Sequence, residues 1–304
     1  MTATCETCFR RCSLAEGQIG FCRARVNRGG SVVPLAYGHI SSIALDPIEK
    51  KPLARFMPGS RVLSVGGWGC NMRCAFCQNY GISQRGPAGG SGPLSADEAG
   101  PDVVSGRAGR GGESGRKRDG MILSPEELCA EALALRSRGN IGVAYTYNEP
   151  LVAWEYVRDC ARLVHQAGMK NVIVTNGCVF APVLEELLPY TDALNIDLKC
   201  FSADSYRTLG GDFESVRQTI IRCHAAGCHV ELTTLIVPGF NDGEAELAEE
   251  VAWIASLDRT IPLHLTRFFP RWQLMDLPPT PLDSLYRLVA LARRELSDVL
   301  AGNV

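Results

Sequence analysis

The sequence predicts an α/β protein built on a parallel sheet with helices outside it. Three observations carry this expectation. From residue 61 onward six apolar runs alternate with amphipathic helical stretches, the connections between them are short, and each run ends in polar or turn-forming residues. The runs are 61–66, 141–146, 171–175, 193–198, 229–237 and 262–268, each rich in Val, Ile, Leu or Thr. Six strand-helix units are two short of a closed eight-stranded barrel. An open, partial barrel and a doubly wound sheet both satisfy the pattern.

Taken in order, residues 1–60 stand apart from this rhythm. They read as a cysteine-rich knot followed by an alternating segment, 32–45, expected to form a hairpin on the edge of a main unit spanning 61–304. Residues 85–120 hold 11 Gly and 3 Pro, and their only large apolar side chains are Leu94, Val103 and Val104, so a disordered insertion is expected there. The helix that follows has a clear start: Ser124 as N-cap, Pro125 at the first helical position and Glu127 three residues after the cap. Leu128, Ala132 and Leu135 form its apolar face, and Gly139 ends it. A second helix from about residue 151 turns Trp154, Val157, Ala161 and Val164 inward and closes at Gly168. Further helices fit 181–189, 213–226, 243–256 and 281–297.

Composition narrows the function. Of 304 residues 46% are hydrophobic and 21% charged, enough to bury a core. The 33 acidic and 31 basic residues nearly cancel, so nothing favours a nucleic-acid partner. No apolar run approaches the roughly 20 residues of a membrane span, and the amino terminus has no signal-peptide stretch, so a cytoplasmic location is expected. There are 13 cysteines. In a reducing compartment an odd number of thiols points to metal or redox chemistry rather than disulfides.

Spacing separates two groups. Cys70, Cys74 and Cys77 follow the first strand on a loop containing Gly66, Gly67 and Gly69. Three thiols so spaced can wrap one iron-sulfur cluster and leave one iron of a [4Fe-4S] cube without a protein ligand, open to a cofactor or substrate. A structural zinc site prefers four ligands in two separated pairs and matches poorly. Cys5, Cys8, Cys12 and Cys22 form a second candidate metal site, able to close around zinc or around an iron-sulfur cluster with no open iron.

The run Cys70-x3-Cys74-x2-Cys77, with an aromatic residue before its last cysteine, resembles the radical S-adenosylmethionine (SAM) signature. The longer string from Gly69 to Asn79 (GCNMRCAFCQN) is similar to that of activating enzymes of the pyruvate formate-lyase type. With Asp46 to Leu53 (DPIEKKPL), Pro58-Gly59, Tyr145 to Pro150 (YTYNEP) and Val237 to Asp242 (VPGFND), the chain resembles the radical SAM enzymes of the AmmeMemoRadiSam system over nearly its whole length except 85–120.

The resemblance implies a partial (β/α)6 radical SAM barrel with a small cysteine-rich N-terminal extension. It also implies a [4Fe-4S] cluster on Cys70, Cys74 and Cys77, S-adenosyl-L-methionine as second cofactor, and an oxidoreductase that forms a 5'-deoxyadenosyl radical for hydrogen abstraction. Implied partners are an electron donor such as ferredoxin or flavodoxin, and Memo-like and AMMECR-domain proteins. Glu149 is the candidate acceptor for the methionine ammonium; the sequence departs from the family's Gly-Gly-Glu-like motif there but keeps the acid. Asn176, Asp197 and Lys199 fall where the resemblance places ribose and carboxylate contacts, and Val237, with Pro238, is the candidate adenine surface. Singly, each serves equally well as a helix cap or surface charge, and Asp197 with Lys199 as an ion pair worth under about 1 kcal/mol. Their shared place at strand ends favours a common site. His264 and Arg267 are candidate substrate contacts, whereas His165, His224 and His229 read as packing or surface residues. The alternative, a non-catalytic iron-sulfur or zinc protein acting as electron carrier or scaffold, needs the thiols but not Glu149, Asn176, Asp197 and Lys199.

Overall fold

The computed structural model describes residues 1–87 and 116–304. Its strands are β1 (Ala3–Thr4), β2 (Ser13–Leu14), β3 (Arg25–Arg28), β4 (Ser31–Pro34), β5 (His39–Pro47), β6 (Arg61–Gly66), β7 (Arg116–Ile122), β8 (Asn140–Tyr145), β9 (Lys170–Thr175), β10 (Ala193–Asp197), β11 (His229–Ile236), β12 (Leu263–Arg267) and β13 (Val299–Gly302). Its helices are α1 (Tyr80–Ser83), α2 (Pro125–Ala134), α3 (Trp154–Gln166), α4 (Ala181–Leu187), α5 (Ala203–Thr208), α6 (Phe213–Ala225), α7 (Glu244–Leu257) and α8 (Leu282–Ala292).

Among the described residues nine strands make the main sheet, in the order β13-β12-β11-β10-β9-β8-β6-β5-β7. From β6 to β13 all neighbours pair in parallel. The order advances in one direction without the reversal that a doubly wound sheet requires, and β7 and β13 stand at opposite edges. The fold is therefore an open, partial barrel. All six expected strands are present within a residue or two. A seventh parallel strand, β13, is only four residues long, too short for its periodicity to register.

The amino-terminal region differs from the expected hairpin over 32–45. Gly29 and Gly30, with φ of 62° and 81°, supply the two left-handed residues of a tight hairpin turn, so 31–34 folds back on 25–28. The rest of the alternating stretch becomes β5, which pairs antiparallel with β6 inside the main sheet. Alternation marks a strand but does not name its partner. The boundary expected at residue 60 thus falls between two paired strands. Most of the insertion expected over 85–120 lies outside the described residues; from 116 the chain forms β7, antiparallel to β5.

The helix starts follow local chemistry. Ser124 and Glu127 form the reciprocal capping box of α2, and Asp212 caps α6 by accepting from the Ser215 amide at 2.9 Å. α3 buries Val157, Cys160, Ala161 and Val164 against the sheet. Between sheet and helices lies the main core, with Leu63, Val143, Ile173, Ile196, Leu232 and Leu263 from the strands and Leu128, Leu184, Ile220, Val251 and Leu288 from the helices.

The opposite face of the sheet is filled differently. Val62 and Ala193, near the amino ends of their strands, and Val172 and Ala144, farther along theirs, pack on Ile48 and Leu53, so the segment after β5 plugs that face. Next to the plug Glu231 accepts from the amides of Ala54 and Arg55, and the Nε2 atoms of His264 and His229 lie 2.6 and 2.9 Å from its two oxygens. Burial alone would raise this carboxyl; the hydrogen bonds instead hold it at about 2. Among the described residues no helix is long and apolar enough to cross a membrane.

Candidate cofactor site

The strands' carboxyl ends carry the other polar concentration. Gly66 is the last residue of β6, and a Cβ there would lie 2.9 Å from the Tyr147 ring, so the close approach of that ring requires glycine. Gly69 adopts φ 87°, and a Cβ there would fall 2.2 Å from the carbonyl oxygen of Cys22, so the loop approaches the amino-terminal knot as closely as backbone allows. Asn148, in the turn after β8, clamps the same loop: its Oδ1 accepts from the Gly67 amide at 2.9 Å and its Nδ2 donates to the Gly69 carbonyl at 3.0 Å. The Arg73 guanidinium donates to the carbonyls of Cys70, Met72 and Phe21. Met72 and Phe76, between the cysteines, are buried in the main core and anchor the loop.

This leaves three thiols on one short, fixed loop. Burial raises Cys70, and raises Cys74 to about 12 despite the nearby positive charge of Lys199. Such thiols stay protonated on their own, and a metal that displaces the proton converts them to ligands. Among the described residues no three His, Cys, Asp or Glu side chains already close on one point, so ligation requires the thiols to turn toward a common centre. The donor set, three thiols on a glycine-softened loop, fits an iron-sulfur cluster with one iron left open.

Glu149 is fully buried at the turn after β8. Its Oε1 accepts from the Leu151 amide at 3.0 Å and the Thr175 hydroxyl at 2.8 Å, and its Oε2 accepts from the Asn176 amide at 2.7 Å. Burial outweighs these bonds and lifts the carboxyl to about 7. Asn176 links that acid to the cluster loop: its Nδ2 lies 2.9 Å from Asn71 Oδ1 and 3.5 Å from Cys70 Sγ. Lys199 Nζ donates to Asp197 Oδ2 at 2.6 Å. Burial works to discharge this lysine, but Asp197 and the Cys74 and Cys77 thiols outweigh it and raise its pKa.

Seven of the eight positions expected around the cluster and SAM therefore share one neighbourhood: Glu149 and Cys77 act on Cys70, Lys199, Cys77 and Asp197 act on Cys74, and Asn176 contacts Cys70. Cys77 Sγ also lies 3.3 Å from Ser83 Oγ. Val237 is placed differently. It is fully buried in the helix-side core, and its amide donates to Asn241 Oδ1. His264 is engaged by Glu231 at the other end of the sheet, whereas Arg267, half-buried at the end of β12, donates through Nε to the Thr280 carbonyl.

Sequence reading missed the supports. Asn241 donates to the carbonyls of Lys199 and Leu235 and ties the ends of β10 and β11. Tyr147, at φ 72°, donates to Asp46 Oδ2, which also receives buried Lys51; the lysine lies 4.6 Å from the Tyr147 ring centre. Burial alone would raise Asp46, but Lys51, Tyr147 and Lys50 hold it at about 2. The only signal for these roles was membership of the strings DPIEKKPL, YTYNEP and VPGFND.

A family description, the Radical SAM superfamily, matches residues 66–251. An uncharacterized protein of Methanocaldococcus jannaschii is 36% identical over 303 residues, 99% of this chain and 81% of that protein. Pyruvate formate-lyase 1-activating enzyme of Escherichia coli (strain K12) is 29% identical over 132 residues; the match takes in 41% of this chain and 53% of that enzyme, about half of its length. A solved radical SAM methyltransferase from Sphaerobacter thermophilus has a TM-score of 0.53 and 16% identity, covering 81% of this chain and 67% of that one, a likeness of fold.

Proposed function

This chain belongs to the radical SAM superfamily, and we propose that it is an activating-enzyme-like oxidoreductase of the AmmeMemoRadiSam type. The superfamily uses a [4Fe-4S] cluster and SAM, which when bound supply reductive cleavage of the sulfonium and a 5'-deoxyadenosyl radical for hydrogen abstraction. In our reading Cys70, Cys74 and Cys77 hold the cluster. Glu149, fixed by its three donors, receives the ammonium of SAM. Asn176 keeps that acid in register with Cys70, and the Asp197–Lys199 pair presents one acceptor and one cation to the ribose and carboxylate. Pro238, half-buried beside Val237, offers the apolar surface for adenine.

The observation that carries the proposal is the chain of contacts from Cys70 through Asn176 to Glu149. A scaffold or electron carrier needs the thiols but has no use for a buried acid held beside them. The activating-enzyme resemblance suggests a glycyl hydrogen on a partner protein as the target, and reduced ferredoxin or flavodoxin as electron donor. The motif strings suggest Memo-like and AMMECR-domain proteins as associates. Anaerobic reconstitution with iron and sulfide, then addition of dithionite and SAM, is expected to yield 5'-deoxyadenosine. Cys74→Ala should abolish it and Cys160→Ala should not. A fully loaded cluster that yields none overturns the proposal.

A further inference from the structure

We propose that Cys5, Cys8, Cys12 and Cys22 hold a second, closed tetrathiolate metal centre that braces the cluster loop. The four thiols line a single cavity together with Arg10 and Arg25. Three of them are buried and Cys12 is half-buried. Two turns present them: the Arg11 amide donates to the Cys8 carbonyl with Arg11 at φ 40°, and the Arg23 amide donates to the Gly20 carbonyl with Arg23 at φ 64°. Each turn thus sets a left-handed residue directly beside a cysteine. The Cys5 amide, donating to the Cys12 carbonyl at 2.9 Å, closes the first turn onto the amino-terminal strand.

Charge and hydrogen bonding independently mark the cavity as a place for anionic sulfur. Arg25 is buried; its two terminal nitrogens form a bidentate pair with Glu155, at 2.8 and 2.6 Å. Its Nε, also buried, has no partner. A buried donor left in this state is costly, and a thiolate in the cavity that Arg25 lines would accept from it. Arg25 lies within electrostatic reach of Cys5 and Cys22, and Arg10 of Cys8 and Cys12. Four thiolates around a divalent ion carry a net charge of about −2, and a fully ligated cluster is similarly anionic; Arg25 is already neutralised by Glu155, and Arg10, which donates only to carbonyls, offsets part of either charge. With all four positions filled by protein, the centre has no open site, which suits bracing rather than catalysis.

The brace is direct. The Cys70 amide donates to the Cys22 carbonyl at 3.2 Å, and Arg73 reaches the Phe21 carbonyl at 2.6 Å. Asn71, next to Cys70, lines the cavity, and its carbonyl accepts from Arg10 Nε at 2.8 Å. A metal that fixes Cys22 and the turn bearing Arg10 therefore fixes the backbone on both sides of Cys70. Only this bracing role rests on the function proposed above; the metal site itself does not.

The test is a metal and sulfide count on the full chain purified anaerobically. Beyond the roughly four irons of a cluster on Cys70, Cys74 and Cys77, we expect either about one zinc or about four further irons per chain, which separates the two metals. Cys12→Ser, the least buried of the four, should lose that second metal, whereas Cys74→Ala should keep it. In Cys12→Ser a chelator should strip the remaining cluster iron roughly 10-fold faster than in the unaltered protein, the size of effect expected of an outer support. A count of four irons and no zinc in the unaltered protein overturns the site without recourse to any variant. Retention of the second metal in Cys12→Ser overturns the ligand assignment, and an unchanged rate of iron loss overturns the brace. Full metal content without 5'-deoxyadenosine counts against the proposed function alone.

Discussion

Glu149 accepts three hydrogen bonds from its own chain, and burial still holds its carboxyl near 7. An acid so placed is oriented before any ligand arrives and gains most from a cation brought beside it. Glu149→Gln keeps the shape but turns an NH2 toward one of the three donors. We expect it to leave iron loading intact and to weaken SAM binding about 10-fold or more, the cost of one charged hydrogen bond; a binding titration on the loaded enzyme checks this. The acid was legible in the sequence because it follows an apolar strand directly. Its fixation by Thr175 and Asn176 was not, because those residues are the last of the next strand and the one after it, and only the parallel register of β8 on β9 brings them within reach. The same holds for Asp46 and Lys51: five residues apart in sequence, they meet Tyr147 about a hundred residues on.

Among the elements, the loop after β6 was the most readable and the most dependent on its neighbours. Its cysteine spacing is local, but its path is set by contact with the amino-terminal knot. Gly69→Ala meets both the left-handed φ and the Cys22 carbonyl. It should cost about 1–3 kcal/mol and lower iron loading, read by thermal melts and metal analysis. Loading unchanged despite a lower Tm would separate the fold of the loop from its capacity for metal. Helix α7 carries a different load. Its buried Glu250 lies 2.6 Å from the Thr234 hydroxyl, which donates to the Leu198 carbonyl, and burial lifts the carboxyl from 4.5 to about 8. A neutral Glu250 donating to Thr234 satisfies every group in that chain. The unfolded chain releases this proton near pH 4.5 and the folded one near 8, so stability falls as pH rises between them. Glu250→Gln removes that dependence: at pH 8 it should be more stable than the unaltered protein, by up to about 4 kcal/mol, with no gain at pH 4.

At the scale of the molecule, the open barrel has two polar ends with different work. The carboxyl ends gather the thiols, Glu149, Asn176, Asp197 and Lys199, while the face toward the amino ends is filled by the 48–56 plug and by Glu231. Glu231 is held below its ordinary pKa, so its contribution is full above about pH 4.5 and is lost as pH falls toward 2. Glu231→Gln should therefore lower stability by about 2 kcal/mol at pH 7 and make little difference near pH 2, with iron loading unaffected because the change lies at the far end. Coupled loss of iron would show that the two ends are not independent.

By itself the sequence determined the alternation of strands and helices, the two cysteine groups and the strand-end acids, because each is written in residues a few positions apart. Only the tertiary structure decided between the open barrel and the doubly wound sheet, since strand order is a matter of long-range pairing. It alone moved residues 39–47 into the main sheet, withdrew Val237 and His264 from the open surface, and set Cys22 against Cys70 across 48 residues of chain. Local patterns fix what a segment can form; which partner it meets depends on contacts between distant residues, and no local pattern records those.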